Sequence, residues 1–285
     1  MNVEIVRSAA AYNAWRPAVA ELFVKAFRRP FPEDMWNLYY RDNPFGEVTA
    51  ALAINGDRLV GHHALIPQIL ARGDGGIVRY LQSISLMTDP DYRNVFLKLV
   101  GASHAAALES DAEFILSFNN PNGARPLRQL FGHKPIVETP LLTWTPRRPE
   151  RSNALRICSM GTRVSSEELS HPWCPQYWKW RTSVNGARAV RLNDRTELVY
   201  KVSKDIITVL DLESFDRLTA RADLESLALH HKALHFRISG YHAQFIETFS
   251  NEIASHENYV LRFLGRKLRG DVPPIRFSLL LSDVF

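Results

Sequence analysis

Cysteine is scarce in this chain, with two in 285 residues. Cys158 and Cys174 stand outside any Cys-x-x-Cys spacing and have no patterned histidine partner, so neither a zinc ligand set nor a disulfide framework is expected. The adjacent His230 and His231 lack a third ligand nearby, which again argues for no metal. Long hydrophobic runs are missing too. A stretch such as residues 279–281 is far shorter than the roughly 20 residues that cross a bilayer, so no membrane contact is expected. Residues 1–6 carry no charged segment followed by an apolar one, so no secretory signal is read and a cytoplasmic location is the default. A basic arm is also absent. The formal charge of +5 is spread along the chain, with arginine pairs at 28–29 and 147–148, and no basic stripe accompanies a docking motif. Nucleic acid is therefore not an expected partner, and an electropositive cleft for a polyphosphate ligand is the simpler account of the charge.

What is present is a mixture of helical and strand periodicities, and the length favours two domains over one. Trp15, Val19, Leu22, Phe23 and Ala26 form a helix-period stripe within residues 11–28, and 33–41 read as a second short helix. Residues 48–54 and 58–70 are strand-like around a hairpin turn at Asn55, Gly56 and Asp57. After a turn at 73–76, residues 77–87 predict a long third strand that ends at Asp89 and Pro90. A helix is expected from about Asp91, with Phe96, Leu99, Val100, Ser103 and Ala107 on one face. Residues 113–117 then complete a βαβ unit as a buried strand. A helix over 121–131 closed by Gly132 and a strand over 134–144 follow.

Prolines and charges without periodicity mark residues 146–152 as a linker. The expected division is a first domain over 1–145 and a second over 153–285. The second half repeats the first in weaker form: strands at 197–202 and 206–212, a helix at 215–229, a strand at 233–239, a helix at 241–255, and strands near 258–264 and 275–281. A tandem duplication is the favoured reading, although any α+β domain can produce such an order.

Four pieces together carry a family resemblance: residues 39–44 (Tyr39 to Pro44), 59–63 with the paired His62 and His63, 85–93 ending in Arg93, and 116–121 with Asn119 and Asn120. In that order and spacing they resemble the GNAT acyltransferase superfamily over most of residues 30–145. Residues 177–181 resemble the start of a second, degenerate copy, as in the tandem branch that includes bacterial nucleotide-sugar N-acyltransferases. The resemblance implies an α+β fold of two GNAT-like domains, each a mixed, mostly antiparallel sheet flanked by helices. It implies acyl-coenzyme A as co-substrate and a small-molecule amine as acceptor, in the narrowest form a dTDP-linked amino sugar. Another amine on a peptide, lipid or aminoglycoside is the alternative, as is a binding module that has lost the coenzyme site.

By resemblance, backbone amides near Leu86 and Met87 meet pantetheine and the thioester oxygen, and the loop of Arg93, Asn94, Val95 and Phe96 meets the pyrophosphate at the start of a helix. The family usually places glycines in that loop; this chain has none there, which restricts close approach. Asn119 and Asn120 are candidates for pantetheine amides, or simply for capping the helix that follows. His62 and His63 are the candidate general bases, of which only one can face the site because successive strand residues point to opposite faces. Packing is the ordinary alternative for a strand histidine. Tyr40, Asn43, Phe45, Gln82 and Ser83 are candidates for the acceptor wall, with core filling the alternative for Tyr40 and Phe45. Trp173, Tyr177 and Arg181 are candidates for stacking on, or pairing with, a nucleotide, with packing the alternative.

Overall fold

The apolar run over residues 58–70 has no polar alternation, as expected of a strand covered on both faces. A computed structural model describes residues 1–72, 74–146, 155–159, 177, 179–181, 186–194, 196–214, 217–239, 253–269 and 274–275. In it the run forms β3 (Arg58–Ala71), buried from Leu59 through Ile66. Two compact units are present. The first comprises Met1–Ile136, Val164–Pro172 and Phe263–Ile275; the second comprises Val137–Arg163, Trp173–Arg262 and Arg276–Phe285.

The first unit opens with β1 (Asn2–Val6), α1 (Ala9–Asn13) and α2 (Arg16–Phe27). The single helix expected over 11–28 is thus two, broken at Ala14 and Trp15 ahead of Pro17, which suits the first turn of a helix but not its interior. Likewise residues 33–41 divide into α3 (Glu33–Trp36) and a π-helical turn (Asn37–Arg41), which brings Leu38, Tyr39 and Tyr40 together into the core. β2 (Thr49–Asn55) and β3 meet at a two-residue turn where Gly56 adopts φ +65°, the positive angle such a hairpin needs. β4 (Ile77–Thr88) returns antiparallel to β3. A 3-10 turn (Pro90–Val95) leads into α4 (Phe96–Ala107), and β5 (Phe114–Asn119) then lies parallel to β4. The helix expected from Asp91 therefore starts several residues later. α5 (Pro121–Leu130) is capped by the Asn120 side chain on the Gly123 amide and closed by Gly132 at φ +66°.

Beyond β5 the sheet of this unit continues with the last residues of β12 (Ile253–Lys267). Phe263 stacks on Phe118 at 4.6 Å, and the amides of Leu268 and Arg269 both donate to the Glu113 carbonyl. At Gly265 a Cβ would come within 2.8 Å of Ile136 Cδ1, so any larger residue there would displace the end of that side chain. Packing of α4 on the sheet is carried by Val95 and Leu99 against Ala51, Ala53 and Val60, all fully buried.

The second unit repeats the order. β8 (Arg188–Leu192), β9 (Thr196–Ser203) and β10 (Ile206–Ser214) are antiparallel neighbours, α6 (Arg217–His231) follows, and β11 (His235–Ser239) is parallel to β10. β11 pairs in turn with β6 (Lys134–Trp144), and β7 (Ile157–Ser159) edges β8. Its core includes Trp144 stacked on Phe236 at 5.1 Å, with Leu224, Leu227 and Ile207 fully buried. Both units thus present three antiparallel strands, a helix and a parallel strand, the arrangement of tandem domains of one fold. The linker expected at 146–152 and the helix at 241–255 fall almost wholly outside the described residues, and of the strand near 275–281 only Ile275, a bridge residue, is described.

Candidate functional site

Parallel pairing of β4 with β5 ends at Ser83 opposite Ser117, yet β4 runs on to Thr88 and β5 to Asn119. Among the described residues, the backbone of residues 84–88 therefore has no strand neighbour on the β5 side. Its polar groups there need another partner. On the other side of β4 the ladder to β3 jumps from His62 opposite Met87 to Ala64 opposite Ile84, so Ser85 and Leu86 together face the single residue His63. This is a β-bulge, and Ser85 takes the left-handed angle φ +50° that turns the strand. The bulge and the end of pairing coincide, so the β5 side of β4 is a notch in the ladder, with backbone polar groups unpaired by any described strand.

Two histidine networks back this notch. The Ser85 carbonyl accepts from His62 Nδ1 at 2.7 Å, which leaves His62 Nε2 to accept from the Tyr12 hydroxyl. Tyr12 sits among Trp36, Tyr40 and His62, stacked on Trp36 at 4.8 Å, and Tyr40 donates to Ser85 Oγ at 3.1 Å. Burial raises the Tyr12 pKa well above its usual value, so the hydroxyl stays protonated. On the opposite face, His63 Nδ1 donates to Ser103 Oγ at 2.7 Å, because the only Ser103 hydroxyl proton goes to the Val100 carbonyl at 3.0 Å. His63 Nε2 must then accept from Ser83 Oγ at 2.8 Å. The half-buried Ser83 hydroxyl thus ends a Ser83, His63, Ser103 chain at the last paired position before the strands part.

Both histidines are wholly buried, and desolvation pushes His62 down to about 4 and His63 to about 3. Each is a neutral imidazole at neutral pH. Neither is exposed to meet an acceptor directly, and the link from His63 to the notch runs through Ser83. Sequence patterns put Ser103 on the packed face of its helix and Ser85 within the 85–93 piece, but gave no pointer to Tyr12 or to the relation of any of the three to the histidines, which depends on packing between elements.

The other expected site residues are distributed as follows. Gln82 and Met87 are buried, while Leu86 is half-buried against Val100, Ala124, Leu127 and Leu264. Arg93 and Asn94 lie in the 3-10 turn, with Asn94 exposed. Val95 is core, and Phe96 begins α4 half-buried. Asn119 donates to Ser117 Oγ at 2.6 Å, whereas Asn120 is committed to capping α5. Tyr40 is buried. The Asn43 side chain ties its own loop, donating to the Pro67 carbonyl at 2.9 Å and accepting from the Phe45 amide at 3.1 Å, with Phe45 half-buried. In the second unit Tyr177 and Arg181 are each 2% exposed, with Tyr177 and the Arg181 guanidinium near the Trp180 ring. Trp173 lies outside the described residues. Among the described residues no group of three His, Cys, Asp or Glu side chains is placed to hold a metal ion, and no helix is long and apolar enough to cross a membrane.

The start of α4 is anchored from below by Asp89. Its carboxylate is 1% exposed and accepts from Lys25 Nζ at 2.7 Å, Arg58 at 2.6 Å and the Asp91 amide at 3.0 Å. Burial pushes its pKa up, but these hydrogen bonds and the two cations more than offset that and hold it below the usual value. An ionised anchor so engaged is no free base.

No family model matches the sequence, and no curated protein matches it. Solved structures do match. A GCN5-related N-acetyltransferase from Anabaena variabilis aligns at 11% identity over 94% of this chain and 73% of its own, with a TM-score of 0.63. One from Kribbella flavida aligns at 14% identity over 93% and 71%, with a TM-score of 0.61. The fold is that of the GCN5-related N-acetyltransferases. A Saccharomyces cerevisiae N-myristoyltransferase with bound myristoyl-CoA shares this GNAT fold at 10% identity over 98% and 83%, with a TM-score of 0.59. The likeness spans nearly the whole chain in each comparison, as expected where both halves are built on the GNAT plan.

Proposed function

We propose that the protein is an acyl-CoA-dependent N-acyltransferase whose donor site is the notch between β4 and β5. The observation that carries this reading is the loss of pairing after Ser83 and Ser117, at the same place as the bulge at Ser85 and Leu86. An extended ligand rich in amides can take the place of the missing strand and satisfy the backbone of residues 84–88. The residues present fit a pantetheine arm in the notch. They fit a pyrophosphate less closely, because the turn before α4 is glycine-free and Val95 is packed in the core. In this reading phosphate contacts come from backbone amides of the turn and from Arg93 and Asn94, and the coenzyme is held chiefly by its pantetheine part.

Acyl transfer then follows by direct attack of a neutral amine on the thioester carbon. The tetrahedral oxyanion is met by backbone N–H near Leu86 and Met87, and the thiolate leaves and gains a proton. Ser83 Oγ, its own proton directed to His63, is free to accept a hydrogen bond from the attacking amine. His63 and Ser103 act as positioning residues for Ser83, with the amine proton leaving through water. The acceptor we favour is an amino sugar on a nucleotide, with Tyr40, Phe45 and Gln82 beside its pocket; another small amine is the second reading, favoured by the polar but uncharged character of Ser83, Ser85 and Ser117.

The experiment is thiol release from acetyl-CoA and longer acyl-CoAs by the purified chain, with a panel of dTDP- and UDP-amino sugars, aminoglycosides and peptide amines. Release dependent on an amine supports the reading, and the panel selects the acceptor. Absence of release with every donor, together with absence of CoA binding by calorimetry, refutes it in favour of a binding module.

A further inference from the structure

The far end of α4 carries a second cleft. Its volume is about 530 Å³, within the usual range of small-molecule sites. It is lined by Gly101, His104 and Ala105 of α4 and Leu108 just past its end, by Leu130 at the end of α5 with Phe131 and Gly132 beyond it, and by Arg266 and Lys267 of β12. Leu108 lies about 18 Å along the helix axis from Phe96, so this cleft is separate from the turn that precedes α4.

Its chemistry is unusual in one respect. Arg266 is half-buried, and among the described residues no carboxylate meets it. Its Nη1 donates instead to His104 Nδ1, a neutral acceptor. That bond fixes His104 with its proton on Nε2, directed at His133 Nε2 at 3.5 Å, and leaves His133 Nδ1 buried without a partner. Both imidazoles are at most 3% exposed and kept neutral by burial, so neither carries a compensating charge. Beside this cationic wall stand apolar ones. Leu108 and Leu130 are 55% and 62% exposed, and Phe131 sits edge-on to His104 at 5.5 Å. Among the described residues no acidic side chain lines the cleft.

We propose that this cleft binds a small amphipathic carboxylate, its head paired with Arg266 and its apolar body laid between Leu108, Leu130 and Phe131. A carboxylate matches the planar guanidinium fork and supplies the charge that His104 cannot. The flanking leucines gain burial only if the ligand also carries an alkyl or aryl portion.

The test is calorimetric titration of the full chain with sodium octanoate, using octanol and inorganic phosphate as comparators. Saturable one-site binding of octanoate, with octanol and phosphate each at least tenfold weaker, is expected. Arg266→Gln should weaken octanoate at least tenfold. Leu130→Glu, at a site exposed enough to leave folding intact, should do the same by placing a like charge at the mouth. No saturable octanoate binding up to about 10 mM overturns the proposal, since that bounds the affinity at a negligible level. So does equal binding of octanol or phosphate, or octanoate binding that survives either substitution.

Discussion

Asp89 shows how one carboxylate can hold several elements at once, joining Lys25 of α2, Arg58 of β3 and the turn before α4. Asp89→Asn should cost about 2 kcal/mol in urea unfolding at neutral pH, because a buried anion paired with two cations is removed, Arg58 loses its carboxylate and Lys25 keeps only the longer contact to Asp91. The pH sign follows from its depressed pKa. Its contribution is fully present above the usual carboxylate range and is lost as pH falls through the lower folded value, so the gap between wild type and Asp89→Asn should narrow in acid. Ser83→Ala makes a separate prediction: acyl transfer in kcat/KM falls about tenfold, the loss of one hydrogen bond in the transition state, and stability falls by about 1–3 kcal/mol because buried His63 Nε2 loses its donor. At this level the sequence was only partly legible. Adjacent His62 and His63 could be read as pointing to opposite faces, and they do, one toward Tyr12 and the other toward Ser103. Their full burial was not readable, since it depends on helices α1 and α4 closing over the two faces of β3.

Elements were more legible than their joints. β2, β3, β4, β5 and β10 fall within a few residues of where alternation and turn residues put them, because strand period and glycine turns are local signals. The missed features are the break between α1 and α2, which Pro17 marks locally, and the π turn at Asn37–Arg41 and the 3-10 turn before α4, which no local signal marks. Gly61 is one such joint. A Cβ there would stand 2.6 Å from Leu99 Cδ1 and 2.9 Å from Val95 Cγ2, so Gly61→Ala should push the start of α4 off the sheet and cost about 1–3 kcal/mol in denaturant unfolding. The bulge is a second joint. Ser85→Val places a β-branched residue at φ +50°, and a loss of about 2 kcal/mol is expected with weakened CoA binding, whereas Ser85→Gly should keep the stability close to wild type.

For the whole molecule, four buried histidines among the described residues weigh on the acid side. His62, His63, His104 and His133 are held at about 4, 3, 2 and 4, chiefly by desolvation, against an ordinary value near 6.5. The unfolded chain therefore takes up protons that the folded chain refuses. Stability is full above the ordinary histidine value and falls as pH drops below it, by up to about 1.4 kcal/mol per pH unit for each such histidine. Chemical denaturation at pH 7.5 and 5.5 should show this, and in NMR these four imidazoles should not titrate across that interval. The duplicated α+β plan was legible from the repeated order of periodicities. The partnership of β5 with β12 was not, since nothing local joins Glu113 to Leu268 and Arg269. That partnership has a consequence for synthesis. A ribosome will have released β1 to β5 long before residues 263–269 exist, so the first sheet waits with the edge of β5 uncovered until those residues emerge. A fragment ending near residue 145 should consequently associate through that edge rather than behave as a monomer in ultracentrifugation.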